Sequence, residues 1–149
     1  MENEPLIQAT DLSFCTCSSL RKAARAVTQA YDNALRPVGL RATQFTLLAT
    51  LAGRGKMPLT KLSTALGMDR TTLTRNLQPL VRRDLIRTEN EEDLRVRIVV
   101  LTDVGKQVFE EARPRWDAMQ MQMSKGLGQE RWSGLLRDLS GITAVVRDG

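Results

Sequence analysis

The chain of 149 residues carries a formal net charge of +5, with 42% hydrophobic and 26% charged residues. These proportions belong to an ordinary globular domain and argue against a disordered or membrane-spanning chain. The length suits one compact domain. No apolar run approaches the ~20 residues of a spanning helix. The start, MENEPLIQAT, lacks a basic stretch followed by an apolar one, so a cytoplasmic protein is expected.

Histidine is absent and the two cysteines are Cys15 and Cys17. The usual general base and the commonest metal ligand are therefore missing. No glycine-rich phosphate loop of standard spacing occurs either. No catalytic residues, no metal site and no cofactor are expected. The positive charge is unevenly spread: −3 over residues 1–19, +6 over 20–56, +2 over 57–102 and 0 over 103–149. A polyanionic partner suits such a basic first half.

In chain order, Cys17, Leu20, Ala24, Val27, Tyr31 and Leu35 recur at three- and four-residue spacing and predict one long amphipathic helix from about Asp11 to Leu35. Pro37 and Gly39 end it. A second helix is expected over Thr43–Ala52, with Phe45, Leu48, Ala49 and Leu51 on its apolar side, stopped by Gly53-Arg54-Gly55. A third begins near Pro58 and covers Leu62, Ala65 and Leu66. Gly67 makes the turn, and Asp69 caps a fourth helix whose buried stripe is Leu73, Leu77, Leu80 and Val81. Pro79 within it predicts a kink or an early end.

Leu85–Thr88 and Arg95–Leu101 flank the acidic tip Glu89-Asn90-Glu91-Glu92-Asp93. Val96, Ile98 and Val100 alternate with Arg95, Arg97 and Val99, the period of a β-hairpin. Two helices follow Thr102. One carries Val104, Val108, Ala112, Trp116, Met119 and Met123, with a kink expected at Pro114. The other carries Trp132, Leu135, Leu136, Leu139, Ile142 and Val146.

Helix, turn and helix within about 25 residues, followed by a hairpin, reads as a winged helix-turn-helix. Residues 70–83 hold four arginines and no acid, with three threonines in the first turns. The N-terminal residues of such a helix enter the major groove, where hydroxyl and guanidinium groups reach base edges and phosphates. Arg70, Thr71, Thr72, Thr74 and Arg75 are the candidate contacts on this helix. Arg95 and Arg97 at the hairpin would lie beside the minor groove, which suits arginine. A solvated basic face is the plain alternative for the charge pattern alone.

The run LTKLSTALGMDRTTLTRNLQPLVRRDLI (59–86), followed by DLRVRIVVLT (93–102), resembles the MarR family of bacterial regulators. The pattern Asp93-x-Arg95 and then Val99-x-Leu101-Thr102 is similar to the family's wing signature, and the likeness spans nearly the whole chain. It implies a mainly α fold with a small β-hairpin wing (α+β). Helices of about 11–36 and 103–149 would dimerise, and residues of about 42–102 would form the DNA-binding lobe. It implies a homodimer on double-stranded, pseudo-palindromic operator DNA. Arg95 would be the wing arginine and Asp93 an acid orienting arginines nearby. Leu94 and Pro79 depart from the family pattern.

Cys15 and Cys17 lie about 200° apart around a helix, so a disulfide between them would require that helix to unravel. Cys17 and Tyr31 share a stripe but stand about 21 Å apart along it, and could meet only across a dimer. This spacing resembles the family's organic-hydroperoxide-sensing branch, in which a tyrosine of the partner subunit bonds a first-helix cysteine. A second helper tyrosine of that branch falls on Arg21. Cys15, Cys17 and Tyr31 are thus candidate redox residues, against a buried structural role for the thiols or soft-metal binding. The family's other mode, a small aromatic or amphipathic effector between dimerisation helices and lobe, would draw on Tyr31, Trp116 and Met119, Met121 and Met123.

The reading is a DNA-binding transcriptional regulator and not an enzyme: a repressor released by a small-molecule ligand or thiol oxidation. The alternatives are a winged-helix protein-interaction module and a thiol-based peroxide-consuming enzyme.

Overall fold

The computed structural model describes residues 11–92 and 95–148. Helices α1 (Thr16–Leu35), α2 (Ala42–Arg54), α3 (Leu59–Leu66), α4 (Arg70–Arg82), α5 (Asp103–Leu127) and α6 (Gln129–Asp148) are joined by short links and three strands. The strands β1 (Met57–Pro58), β2 (Ile86–Asn90) and β3 (Arg97–Leu101) form an antiparallel sheet in the order β1-β3-β2.

The first helix starts later than its apolar period predicts. Asp11 accepts a hydrogen bond from the Ser13 N–H at 3.1 Å and caps a single 3-10 turn, Leu12–Phe14. Cys15 is then extended, at φ −76° and ψ 114°. Local side-chain bonds of this kind compete with the helix. At the other end Gly39 takes a left-handed φ of 71°. The Asp32 carboxylate then accepts from the Ala42 N–H at 2.7 Å, so α1 itself caps α2.

The helix-turn-helix follows its sequence signals. Gly67 (φ 63°) and Met68 return their N–H groups to the end of α3, at Thr64 and Ser63. Asp69 caps α4 by accepting from the Thr72 N–H at 2.7 Å and its hydroxyl at 3.0 Å. Neither proline ends its helix early: α4 runs past Pro79 to Arg82, and α5 is unbroken through Pro114. Buried Leu77 and Leu80 hold α4 in place on either side of Pro79. Val81, expected in the stripe, is exposed instead.

The sheet corrects the expected alternation in β3. Alternation puts Val99 on the same face as Arg95 and Arg97, yet it is fully buried next to buried Ile98. β1 pairs Met57 with Val99 and Pro58 with Ile98 and makes β3 the central strand, and Val99 joins Met57 in the core, with Leu101 packed against it. A two-residue strand has no period for sequence reading to find.

Leu35, Leu47, Leu48, Leu62, Leu73, Leu80, Leu85, Ile86 and Val99 are the largest fully buried side chains, so the core lies among α2, α3, α4 and the sheet, closed by the end of α1. From α5, Ala112 is buried, and Phe109 and Trp116 pack on Phe45 with ring centroids 5.4 and 5.7 Å apart. No residue of α6 is buried.

Candidate nucleic-acid interface

The cap at Asp69 sets the first turn of α4. Its carboxyl is held below the usual carboxylate value, first by the Thr72 backbone N–H and then by the Thr72 hydroxyl, with Thr71 N–H and the charge of Arg75 assisting. Arg70, Thr71, Thr74 and Arg75 line one concave surface together with Gln78. The Thr74 hydroxyl donates to the Arg70 carbonyl at 2.9 Å, which leaves its oxygen facing out as an acceptor. Thr72 does not line this surface, and its hydroxyl donates to Asp69.

Among the described residues no carboxylate lies within ion-pair distance of Arg70, Arg75 or Arg82. The fourth arginine of the cluster differs: Arg83 donates through Nη1 to the Gly39 carbonyl.

A second groove, of about 290 Å³, runs between α4 and the wing, lined by Thr74, Leu77, Gln78, Arg82, Thr88 and Arg97 among others. It joins Arg97 to the helix face. Gln78, Arg82 and Thr88 belong to the same surface, beyond the contacts from Arg70 to Arg75 and in the wing that the sequence singles out. Helical spacing carries the missing signal for two of them, since 71, 74, 75, 78 and 82 fall on one face. Thr88 enters only because β2 pairs with β3 in the observed register, Thr88 opposite Val99.

In the wing, Asn90 pairs with Arg97, and the Glu91 N–H reaches the Val96 carbonyl at 3.2 Å. Arg95 is exposed in the turn. Asp93 and Leu94 lie outside the described residues. Arg87 pairs with Glu89 on β2 at 2.9 Å, a solvent-exposed pair of small energetic weight. The wing is anchored at its base, where Thr102 caps α5 by accepting from the Gly105 N–H at 3.0 Å and donating its own N–H to the Leu85 carbonyl at 3.1 Å.

The cysteines are not placed as the sequence predicts. Cys15 is the residue before α1 and its Sγ accepts from the Ser18 N–H at 3.5 Å, while Cys17 is exposed in the first turn. In the single chain neither is a core residue, and a bond between them would require rearranging only that first turn. Tyr31, half-buried on α1, donates to Gln120 of α5, and burial raises its pKa. Trp116 stacks in the core, whereas Met121 is exposed, so the residues named for an effector crevice do not share one environment in the single chain. Among the described residues there is no group of three acidic, thiol or imidazole side chains able to hold a metal ion, and no helix long and apolar enough to cross a membrane.

Comparison with known proteins places this architecture. The MarR family model matches residues 40–96, which span α2 to the tip of the wing. The chain is similar to the transcriptional regulator MosR of Mycobacterium tuberculosis, solved in complex with DNA. The identity is 35%, the match covers 90% of this chain and 97% of that one, and the TM-score is 0.83. The transcriptional repressor CouR, bound to a 23-mer DNA duplex, is 25% identical, with 92% and 98% of the two chains covered and a TM-score of 0.81. An uncharacterized HTH-type transcriptional regulator of Bacillus subtilis, YhbI, is 24% identical over 99% of this chain and 94% of its own. With 35% identity to a regulator solved on DNA, across 97% of that chain, and with the family model matching its winged helix-turn-helix, this chain belongs to the MarR family of transcriptional regulators.

Proposed function

We propose that the protein is a repressor that binds a pseudo-palindromic operator as a homodimer. Residues of about 11–36 and 103–149 serve as dimerisation helices, and those of about 42–102 as the DNA-binding lobe. The observation that carries this reading is the face of α4: two arginines, two threonines and a glutamine line one concavity, and no carboxylate lines it with them. A solvated helix face would interleave acids with those bases.

Arg70, Thr71, Thr74 and Arg75 enter the major groove, with Gln78 beside them, and Thr72 holds the helix start through Asp69. Arg95 and Arg97 of the wing address the adjacent minor groove, with arginine as the inserted group, and Asp93 orients the arginines nearby. No catalytic role is assigned to any residue, and a cytoplasmic site of action follows from a DNA partner.

The dimer rests on a second observation. Leu135, Leu136, Leu139, Ile142, Val145 and Val146 of α6 are exposed in the single chain, as are Leu12 and Phe14 before α1. Apolar side chains exposed along one helix in this number are costly in water and suit a symmetric self-contact.

Release is assigned to the thiols ahead of a small aromatic or amphipathic effector, because Cys15 and Cys17 stand at an accessible helix start and not in the core. A hydroperoxide that oxidises both thiols to a disulfide is itself reduced to alcohol and water, and the bond would remove the cap of α1.

The test is fluorescence anisotropy on the DNA upstream of the protein's own gene, with random competitor, before and after an organic hydroperoxide. Tight binding that oxidant abolishes and dithiothreitol restores supports both parts. Binding indifferent to oxidant moves the signal to a small ligand. Binding no tighter than to random DNA, or nearly independent of salt, overturns the operator reading in favour of a protein-interaction module.

A further inference from the structure

Arg83 stands at the C-terminal end of α4 as its cap residue, yet it does not share the outward course of Arg70 and Arg75. Its Nη1 donates to the carbonyl oxygen of Gly39, 44 residues away in the chain. Its Nη2 lies 3.1 Å from where a Cβ on residue 39 would stand, so the guanidinium packs closely against the bare Gly39 backbone and would have to shift by a few tenths of an ångström to admit a side chain there.

Both ends of this bond are rigid. On the Gly39 side, the Gly39 N–H bonds the Arg36 carbonyl at 2.9 Å and the Leu40 N–H bonds the Leu35 carbonyl at 3.3 Å. Leu35 and Leu40 are both buried, and Asp32 ties Ala42 to the same corner. On the Arg83 side, Asp84 adopts a left-handed φ of 57° and its carbonyl accepts from the Thr102 hydroxyl. The next residue, Leu85, is buried and bonds Thr102 and Leu80 through its backbone. One guanidinium therefore spans two fixed corners: the junction of α1 with α2, and the junction of α4 with the wing.

We propose that Arg83 is a positioning residue for DNA recognition: its bond to the Gly39 carbonyl sets the angle at which α4 leaves the body of the molecule, without contact to DNA. This rests on the reading of α4 as the recognition helix. Thirteen residues make α4 about 20 Å long, so a tilt of only about 3° at its C-terminal end moves its N-terminal residues by about 1 Å. That is enough to spoil hydrogen bonds to base edges, and the two helices of a dimer must match half-sites one helical turn apart. Binding to random DNA depends on charge and not on this angle. A lysine would keep the charge but not the planar donor group.

The experiment compares Arg83→Ala, Arg83→Lys and Gly39→Ala in the full-length protein. Affinities for the operator fragment and for a random duplex are measured across a salt series, alongside thermal melting and dimer size. Expected for all three is a loss of operator affinity of about tenfold, with binding to random DNA and its salt slope as in the wild type. If Arg83→Ala melts below the assay temperature, the other two variants carry the comparison. A phosphate contact would show instead as full affinity in Arg83→Lys and a slope reduced by about one on both duplexes in Arg83→Ala, which overturns the proposal. Unchanged operator affinity in all three variants overturns it as well. Wild-type protein that does not prefer the operator overturns the DNA-recognition reading, and the positioning role with it.

Discussion

Gly105 sits where the wing's end meets α5, and a Cβ there would stand 1.9 Å from the Leu85 carbonyl oxygen and 2.8 Å from the Leu101 side chain. Its φ is ordinary; the need for glycine comes from close approach. Gly105→Ala is therefore expected to destabilise the fold by about 3 kcal/mol, the upper range for overpacking, because backbone must move to relieve the clash. Urea unfolding monitored by circular dichroism measures it, and a wild-type midpoint would show that the corner can open freely.

Asp69 yields a prediction that depends on pH. Its folded-state pKa is lowered by the bonds from Thr72, so its contribution to stability is complete above the unfolded carboxyl value and disappears as pH falls through the lower folded value. Asp69→Ala should melt below the wild type at neutral pH, and the gap should close in acid. Thermal melts at pH 7 and at pH below about 3 test the sign; an unchanged gap would mean that the carboxylate does not cap α4.

Among the elements, α4 and the wing divide the work of recognition differently. Arg75 projects from the face that would enter the major groove, so Arg75→Ala is expected to weaken operator binding about tenfold or more and to reduce discrimination against random DNA. Equal losses on both duplexes would make it a phosphate contact. Arg95 lies exposed in the wing turn, where an arginine in the minor groove acts chiefly through charge and groove width. Arg95→Ala should lower the salt slope of binding by about one while leaving the dimer intact. An unaltered slope and affinity would remove the wing from the interface. The anchoring of these elements matters as much as their charges. Leu80 is fully buried beside Pro79, and Leu80→Ala should cost about 2–5 kcal/mol, measured by denaturant unfolding.

At the scale of the whole molecule, the lobe has a closed core whereas α6 buries nothing. In the proposed dimer the free energy that fixes α6 would come from a second subunit, and folding and association would be coupled. A charge placed in the α6 stripe, as in Leu139→Glu, is expected to shift the protein from dimer to monomer by light scattering and to abolish operator binding while leaving the lobe folded. A variant that remains dimeric with full affinity would place the contact elsewhere.

The architecture was legible in the sequence wherever a periodic apolar stripe coincided with its punctuation. Gly67 and Asp69 delimit α4 because turn and cap chemistry act over three or four residues, and the arginines and threonines that follow share one face by helix geometry alone. Alternation around an acidic tip extended this to the wing, and resemblance to the family to the role of its arginine. What the tertiary structure decided were the relations between segments distant in the chain. β1 converts β3 into a central strand, Val99 joins the core, Arg83 turns from the charge cluster to Gly39, and Gly105 is required by a carbonyl twenty residues earlier. The first helix begins at Thr16 because Asp11 and Cys15 make local bonds that a period of apolar residues does not record. Sequence periodicity reports which face of an element is apolar, but only packing selects what lies against that face.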